Sequence, residues 1–347
     1  MVTENTVVSI IIPCRNEGKF IGKTLDSIIA NDYPKEKIEI FVVDGMSTDQ
    51  TRGIVQSYAE RYPYICLLAN PKKIAPAALN IGIQHAKGQI IMRMDAHNVY
   101  DCSYISKSVR YLKEYDADNV GGIWVIRPGS DTMLSNAVAL ASAHPFSAGN
   151  AYYKIGSKEP RYVDTVPFGC YKREVFERIG QFDEDLVRNQ DDELNHRLIK
   201  SGGKILLAPD IKSYYFARDS LSKLWNMNYQ YGYFKPLVAK KIGSVLTFRQ
   251  LVPALFLMSL TVSGILSIIN AELKWVLYAI VLLYLAANIG ASFLIARTVG
   301  LKYLLVLPII FGAIHFGYGV GYLKGILDFI VLKRQGVRKN SDVPITR

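Results

Sequence analysis

Beyond residue 250 the chain carries three apolar stretches: 251–269 "LVPALFLMSLTVSGILSII", 275–296 "WVLYAIVLLYLAANIGASFLIA" and 303–323 "YLLVLPIIFGAIHFGYGVGYL". Each is close to the roughly 20 residues that cross a hydrocarbon core as a helix, and none holds an Asp, Glu, Lys or Arg. Lipid leaves such a segment little choice, because every backbone polar group must be satisfied within the segment. The pattern therefore predicts a membrane domain over 250–332 with a basic tail at 333–347.

Charge supports that reading. The 347 residues have a formal net charge of +11, which fits an acidic partner such as nucleic acid, lipid headgroups or a phosphorylated substrate. Lys235, Lys240, Lys241 and Arg249 precede the first apolar stretch, Arg297 and Lys302 follow the second, and Lys333, Arg334, Arg338 and Lys339 follow the third. Cations gathered beside apolar spans are explained more simply by membrane lipid than by nucleic acid, so no nucleic-acid partner is expected. Three full crossings would put the two outer basic groups on opposite sides, against the positive-inside rule. Either the rule fails for the tail or one segment is re-entrant, and the third, holding Pro308, Gly312, Gly317, Gly319 and Gly321, is the candidate. Residues 218–249 form a further unit, in which Leu221, Leu224, Trp225 and Tyr229 fall near one helical face, as in an interfacial amphipathic helix or an ordinary core-facing one.

Residues 1–217 read differently. "VVSIIIPC" (7–14), "IEIFVVDG" (38–45), "YICLLAN" (64–70) and "QIIMRMD" (89–95) have strand character, and the segments between them have helical spacing. Alternating strands and helices predict a mainly parallel α/β sheet, with ligands beyond the carboxyl ends of its strands. Those ends are polar: Pro13-Cys14-Arg15-Asn16-Glu17, Asp44-Gly45 and Asp95-Ala96-His97. Cys14, Cys66, Cys102 and Cys170 form no Cys-x-x-Cys pair, which suits a reducing compartment and argues against zinc. The N-terminus has neither a basic n-region nor a long apolar run, so no cleaved signal is read there and the first domain is expected in the cytoplasm.

"VSIIIPCRNEGKFIGKTLDSI", "IEIFVVDGMSTDQT", "NPKKIAPAALNIGIQHAKGQIIMRMDAH" and "FGCYKREVFERIGQFDEDLVRNQDDELNHRL" resemble, in that order, the motifs of family 2 glycosyltransferases. The Asp-Ala-His form and "SLSKLWNMNYQYGYFK" are most similar to exopolysaccharide enzymes of the succinoglycan type. The resemblance covers about residues 7–240. It implies a GT-A nucleotide-diphospho-sugar fold and inverting transfer from a nucleotide sugar, with UDP the favoured nucleotide. Localisation at the cytoplasmic face of the cell membrane follows, with a lipid-linked or glycan acceptor.

By similarity Pro13, Arg15, Glu17 and Asp44 belong to the nucleotide pocket. Asp44 can accept from a base or ribose; Ser47-Thr48-Asp49 also make a good helix N-cap cluster. Lys72 and Lys73 can meet phosphate or stand as plain surface lysines. Asn80, within an apolar helix, matches a family position near the donor, and a buried amide there requires partners. Asp95 is the expected grip for Mn2+ or Mg2+ on the diphosphate. The family's usual second aspartate is replaced by His97, either a ligand better suited to Mn2+ or a hydrogen-bonding partner of a nearby carboxylate or the donor.

The general base is expected in "RNQDDELNHRLIKSGG", where Gln190 stands in place of the family's Glu and Asp191 matches the Asp that takes the acceptor proton. The triplet Asp191-Asp192-Glu193 also suits the positive end of a helix dipole without any catalytic role. Phe168-Gly169 resemble the acceptor side, Arg218 can meet a diphosphate or the membrane surface, and His144 sits in a candidate acceptor loop. A processive polysaccharide synthase would carry a Gln-x-x-Arg-Trp motif and more spans, and "NMNYQYGYF" stands at the corresponding place. A non-catalytic membrane scaffold with a degenerate transferase domain is the remaining alternative, opposed by the joint presence of Asp44, Asp95 and Asp191.

Overall fold

The computed structural model describes residues 6–244 and 247–334. Of the basic tail, Lys333 and Arg334 are described, while Arg338 and Lys339 lie outside the described residues. The chain separates into two compact units, one of residues 1–125 and 156–215, the other of residues 126–155 and 216–347.

The first unit is built on one mixed sheet. Its strands are β1 Val8–Cys14, β2 Ile38–Asp44, β3 Ile65–Ala69, β4 Ile90–Arg93, β5 Val99–Tyr100, β6 Asn119–Arg127, β7 Arg161–Tyr162, β8 Cys170–Lys172 and β9 Ile205–Phe216. They lie in the order β3-β2-β1-β4-β8-β6-β9-β5, with β7 on β9. The strand and helix alternation read from the sequence gives the half β3-β2-β1-β4, which is wholly parallel. The other half is antiparallel where β8 meets β4 and β6, and where β9 meets β5 and β7. The sheet is thus GT-A-like and mixed rather than mainly parallel; β5, β7 and β8 are too short for a periodic signal, and β6 and β9 are interrupted by Gly121-Gly122 and Pro209.

Helices α1 Ile21–Ile29, α2 Thr51–Arg61, α3 Ala75–His85, α4 Tyr104–Glu114, α8 Arg173–Ile179 and α9 Gln190–Lys200 belong to this unit; α5 Met133–Ser142, α6 Pro145–Ala148 and α7 Tyr152–Ile155 belong to the other. Strand β1 is covered on both faces, as a central parallel strand must be. Val8, Ile10 and Ile12 join the main core, and Ile11 faces α3 so closely that a Cβ on Gly82 would sit 2.4 Å from its methyl. Only glycine permits that approach. Asn80 on the same helix is 6% exposed and staples the 182–184 loop: its amide donates to Phe182 O (2.9 Å) and Glu184 Oε1 (3.1 Å), and its Oδ1 accepts from Phe182 N (3.0 Å).

The second unit holds α10 Leu221–Ile242, α11 Val252–Ile269, α12 Lys274–Val299 and α13 Leu307–Gly325, the last continued by a π-helical turn to Val331. Three spans, Val252–Ile269, Ala271–Val299 and Leu307–Val331, are long and apolar enough to cross a membrane. The first two bury little of their surface, as lipid-facing helices would.

The third is not broken by its glycines. Pro308 sits in the first turn of α13, where its missing N–H costs nothing. A Cβ on Gly317, Gly321 or Gly325 would meet the backbone of Trp225, Tyr229 or Tyr233 at 3.1, 2.1 and 2.2 Å. The glycines, four residues apart, therefore form one seam on which α10 lies parallel to α13. That seam accounts for the buried second half of α10, from Gly232 to Val238, and for Leu224, which lies on the face the sequence marked as amphipathic.

Candidate active site

The site of the first unit is assembled where β1, β2 and β4 end. Beyond β1, Asn16 turns with φ 55° and Glu17 sits 5% exposed, its N–H donating to Thr51 Oγ1 at 2.8 Å. The two strand-end loops are laced together: Asn16 N–H donates to Ser47 Oγ (2.8 Å), Thr48 N–H to Asn16 Oδ1 (2.9 Å) and Gly18 N–H to Asp49 Oδ2 (3.0 Å). Helix α2 begins after Gln50 with no side-chain cap. Ser47 and Thr48 thus join loops instead of capping the helix, and Asp49 does both jobs in part by accepting from Thr51 N–H at 3.0 Å.

Asp44 is fully buried and its carboxylate is occupied by the protein itself. It accepts from Ser47 N–H, from the Ser47 hydroxyl, and from Arg52 Nη1 at 2.8 Å. A carboxylate offers about four acceptor sites, so Asp44 chiefly orients Ser47 and the half-exposed Arg52. Beside it, burial first and then the carboxylates of Asp44, Glu17 and Asp49 push the Cys14 thiol up, so it stays protonated. Pro13 pairs across to Val43 within the sheet, and Arg15 is exposed at the rim. Lys73 is exposed with φ 61°, while Lys72 is held by Glu184 at 2.5 Å.

Past β4 the burial keeps alternating into the turn at Ala96–His97, so that Arg93, Asp95 and His97 stay partly exposed while Met92, Met94 and Ala96 are buried. Arg93 grips Asp95 with two N–H groups, Nε to Oδ1 at 3.0 Å and Nη2 to Oδ2 at 3.3 Å. Its Nη1 lies 3.9 Å from Asp191 Oδ2. Burial opposes the charge on this guanidinium, but the carboxylates of Asp95 and Asp191 outweigh it and raise its pKa further. Asp95 is also fixed through its backbone, its N–H donating to the Tyr100 hydroxyl at 2.7 Å. Burial, then Asp95, holds that phenol well above its ordinary range. His97 places Nδ1 3.5 Å from Glu17 Oε1.

Asp191 stands in the first turn of α9, whose N-cap Asn189 is left-handed at φ 61°. Its Oδ1 accepts from Asp192 N–H at 3.0 Å, and its side chain is 39% exposed. Its neighbours are structural. Glu193 is 4% exposed and paired with Arg197, which also donates to Gln181 O (2.7 Å) and to Ile179 O. Asn195, fully buried, accepts from Asn119 Nδ2 (3.0 Å) and Tyr171 Oη (3.3 Å) and donates to Thr165 Oγ1 (2.9 Å), which anchors α9 to β6 and β8.

Phe168 is buried with φ 49°, and the space a side chain on Gly169 would fill holds the Tyr171 ring and the Asn119 amide. Gly169 O accepts from Arg93 N–H at 3.0 Å, so this pair forms the floor under β4. His144 and Arg218 belong to the second unit. There His144 Nδ1 accepts from Phe146 N–H (3.1 Å), its ring meets Phe311, and burial lowers its pKa. Arg93, Arg52, Tyr100 and Asn195 were not singled out in the sequence. Arg93 had a signal, a lone cation two places before Asp95 in an apolar strand.

Among the described residues no group of three or more His, Cys, Asp or Glu gathers to enclose an ion. Asp95 and His97 nevertheless form a donor set that fits Mn2+ if a diphosphate and water supply the remaining positions. With Nδ1 toward Glu17, His97 has Nε2 left for an ion, the arrangement usual for ligating histidines.

A parallel half-sheet with acidic and basic groups at its carboxyl ends, extended by antiparallel strands and a helix that opens on an aspartate, defines the GT-A class of nucleotide-sugar folds. The model of "Glycosyl transferase family 2" matches residues 9–180. The chain is 30% identical to a dolichyl N-acetyl-α-D-glucosaminyl phosphate 3-β-D-2,3-diacetamido-2,3-dideoxy-β-D-glucuronosyltransferase of Methanococcus voltae, over 92% of this chain and 97% of that one. It is 26% identical to succinoglycan biosynthesis protein ExoA of Rhizobium meliloti, over 92% and 95%. The mannosyltransferase PcManGT of Pyrobaculum calidifontis, solved with GDP-Man and Mn2+, shares the fold with a TM-score of 0.62 at 21% identity, covering 94% of this chain and 89% of that one. The protein belongs to glycosyltransferase family 2.

Proposed function

We propose that the protein is a membrane-anchored inverting glycosyltransferase that moves one sugar from a nucleoside diphosphate sugar, with UDP favoured, to a lipid-linked acceptor at the cytoplasmic face. The observation that carries this reading is the Asp95–Arg93–Asp191 chain, which brings a donor-side carboxylate and a general-base candidate to one place beyond β4.

Asp44 orients Ser47 and Arg52, and the guanidinium N–H groups of Arg52 that are not directed at Asp44 suit the acceptor oxygens of a base or ribose. Glu17, Arg15, Pro13 and Lys73 complete the proposed nucleotide side, and Asn80 serves it by holding the 182–184 loop. Asp95 and His97 would hold a divalent ion, which supplies charge stabilisation to the departing diphosphate. Asp191 takes the proton of the acceptor hydroxyl as that oxygen bonds to the anomeric carbon. The bond from that carbon to the diphosphate oxygen breaks, releasing the nucleoside diphosphate. One carboxylate is enough for such a single displacement, which inverts the anomeric centre. Phe168 and Gly169 are the acceptor-side candidates of the first unit, and His144 and Arg218 are candidates in the second, each taken by itself.

The lipid-linked acceptor is supported by the dolichyl-linked substrate in the name of the Methanococcus relative. The orientation is supported by the parallel α10–α13 pair. Lys240 on α10 donates to Phe329 O, and Lys324 and Arg334 surround Asp328, so the basic groups before the first span and after the third lie at one end. A common end for both clusters supports the reading in which both face the cytoplasm, as the positive-inside rule favours.

The test is transfer by the detergent-solubilised protein, offered a panel of UDP- and GDP-sugars with a polyprenyl-phosphate-linked sugar. Transfer of a single sugar with inverted configuration is expected. Retention of configuration, or no turnover of any nucleotide sugar, overturns the reading.

A further inference from the structure

The contacts of Arg93 bear on the order in which ion and donor bind. Its guanidinium engages both oxygens of Asp95, one N–H to each, in the bidentate geometry that makes Arg–carboxylate pairs strong. The pair is largely enclosed, with side-chain exposures of 15% and 20%. Breaking it without replacement would strand a guanidinium in a site where solvent cannot compensate.

We propose that Arg93 is a positioning residue that occupies Asp95 in place of a divalent cation in the donor-free enzyme, so that the ion enters together with the nucleoside diphosphate. The inference rests on the reading of Asp95 as the donor-side carboxylate. An ion arriving alone finds Asp95 and His97 as its donors, with the nearby Glu17 carboxylate turned to His97 Nδ1 at 3.5 Å, and among the described residues no group of three or more His, Cys, Asp or Glu gathers to hold it. It must take Asp95 from Arg93 and leave two cations side by side. An ion arriving with a sugar-nucleotide diphosphate brings equal negative charge, so the balance around Arg93, Asp95 and Asp191 is unchanged. The diphosphate also completes the ion's oxygen shell, and Arg93, released from Asp95, retains Asp191 as a partner, 3.9 Å away before any rearrangement. Donor loading thus moves Arg93 from the donor-side carboxylate toward the base.

The experiment measures Mn2+ binding to the full chain in detergent by electron paramagnetic resonance of the free ion, with and without UDP or GDP. The wild-type protein is expected to bind Mn2+ weakly alone and more tightly with nucleotide. Arg93→Met is expected to tighten binding of Mn2+ alone by about tenfold, the worth of one charge-assisted hydrogen bond, and to shrink the nucleotide-dependent gain. Arg93→Lys, which keeps the charge and loses the fork, is expected to fall between the two, and it serves where Arg93→Met does not fold. Both variants binding Mn2+ alone no more tightly than wild type, while Asp95→Asn removes the nucleotide-dependent binding, overturns the role of Arg93 and leaves the metal reading standing. Nucleotide-dependent Mn2+ binding that survives Asp95→Asn overturns the metal reading itself, and this inference with it.

Discussion

At the residue scale the site is a set of carboxylates, each given a task by what touches it. Asp44 is consumed by Ser47 and Arg52, Glu193 by Arg197, and Asp95 by Arg93, while Asp191 keeps an exposed carboxylate at a helix start. Asp191→Asn is accordingly expected to lower transfer by at least about a hundredfold with UDP binding retained, as measured by product formation alongside calorimetry. A pH effect belongs to Asp49. Hydrogen bonds from the Thr51 hydroxyl, and from the Thr51 and Gly18 N–H groups, hold its carboxyl below the ordinary range. The folded state then favours the charged form, so the contribution is present above about pH 4 and lost as pH falls through the lowered pKa. Melting curves should separate Asp49→Ala from wild type at neutral pH, with the gap narrowing in acid. The acidic positions were legible in the sequence because they end strands or open a helix. Their partners were not, since Arg52 and Arg197 stand on ordinary helix faces and reach their carboxylates only once the chain has folded.

At the element scale the parallel half-sheet was readable from alternation, because β1 and β2 are seven-residue central strands rich in Ile and Val. The antiparallel half was not: β5 and β7 have two residues each and β8 three, while the longer β6 and β9 carry Gly121-Gly122 and Pro209, which weaken a strand signal. The glycines of α13 show how composition can mislead. Read along the chain they suggest a broken helix; folded, Gly317, Gly321 and Gly325 are the surface on which α10 rests. Gly321→Leu is expected to cost about 1–3 kcal/mol or more by overpacking against Tyr229, seen as a lowered melting temperature in detergent. Gly312→Ala, with nothing within 4 Å of the added methyl, is expected to be neutral or slightly stabilising. In the first unit, Asn80→Ala should cost about 1–3 kcal/mol, because Phe182 N–H and O lose their partner inside the protein.

At the scale of the whole molecule the cysteines provide a probe of sidedness. Cys66 and Cys102 are exposed, whereas Cys14 and Cys170 are buried, with burial pushing both thiols up. A membrane-impermeant maleimide is expected to label Cys66 and Cys102 in inside-out vesicles and to leave them unmodified in intact cells. The opposite pattern would put the catalytic unit outside.

Residues 126–155 leave the sheet after β6 and return before β7, yet they belong to the helical unit. There Phe146 lies against Phe311, Tyr284 and His315, and its carbonyl oxygen is 2.8 Å from His315 Nε2. A chain cut after residue 217 to obtain a soluble enzyme would keep this excursion and lose everything it packs on. Such a truncation should yield a sticky, aggregating product, so the enzyme has to be purified, and engineered, with its long apolar helices attached.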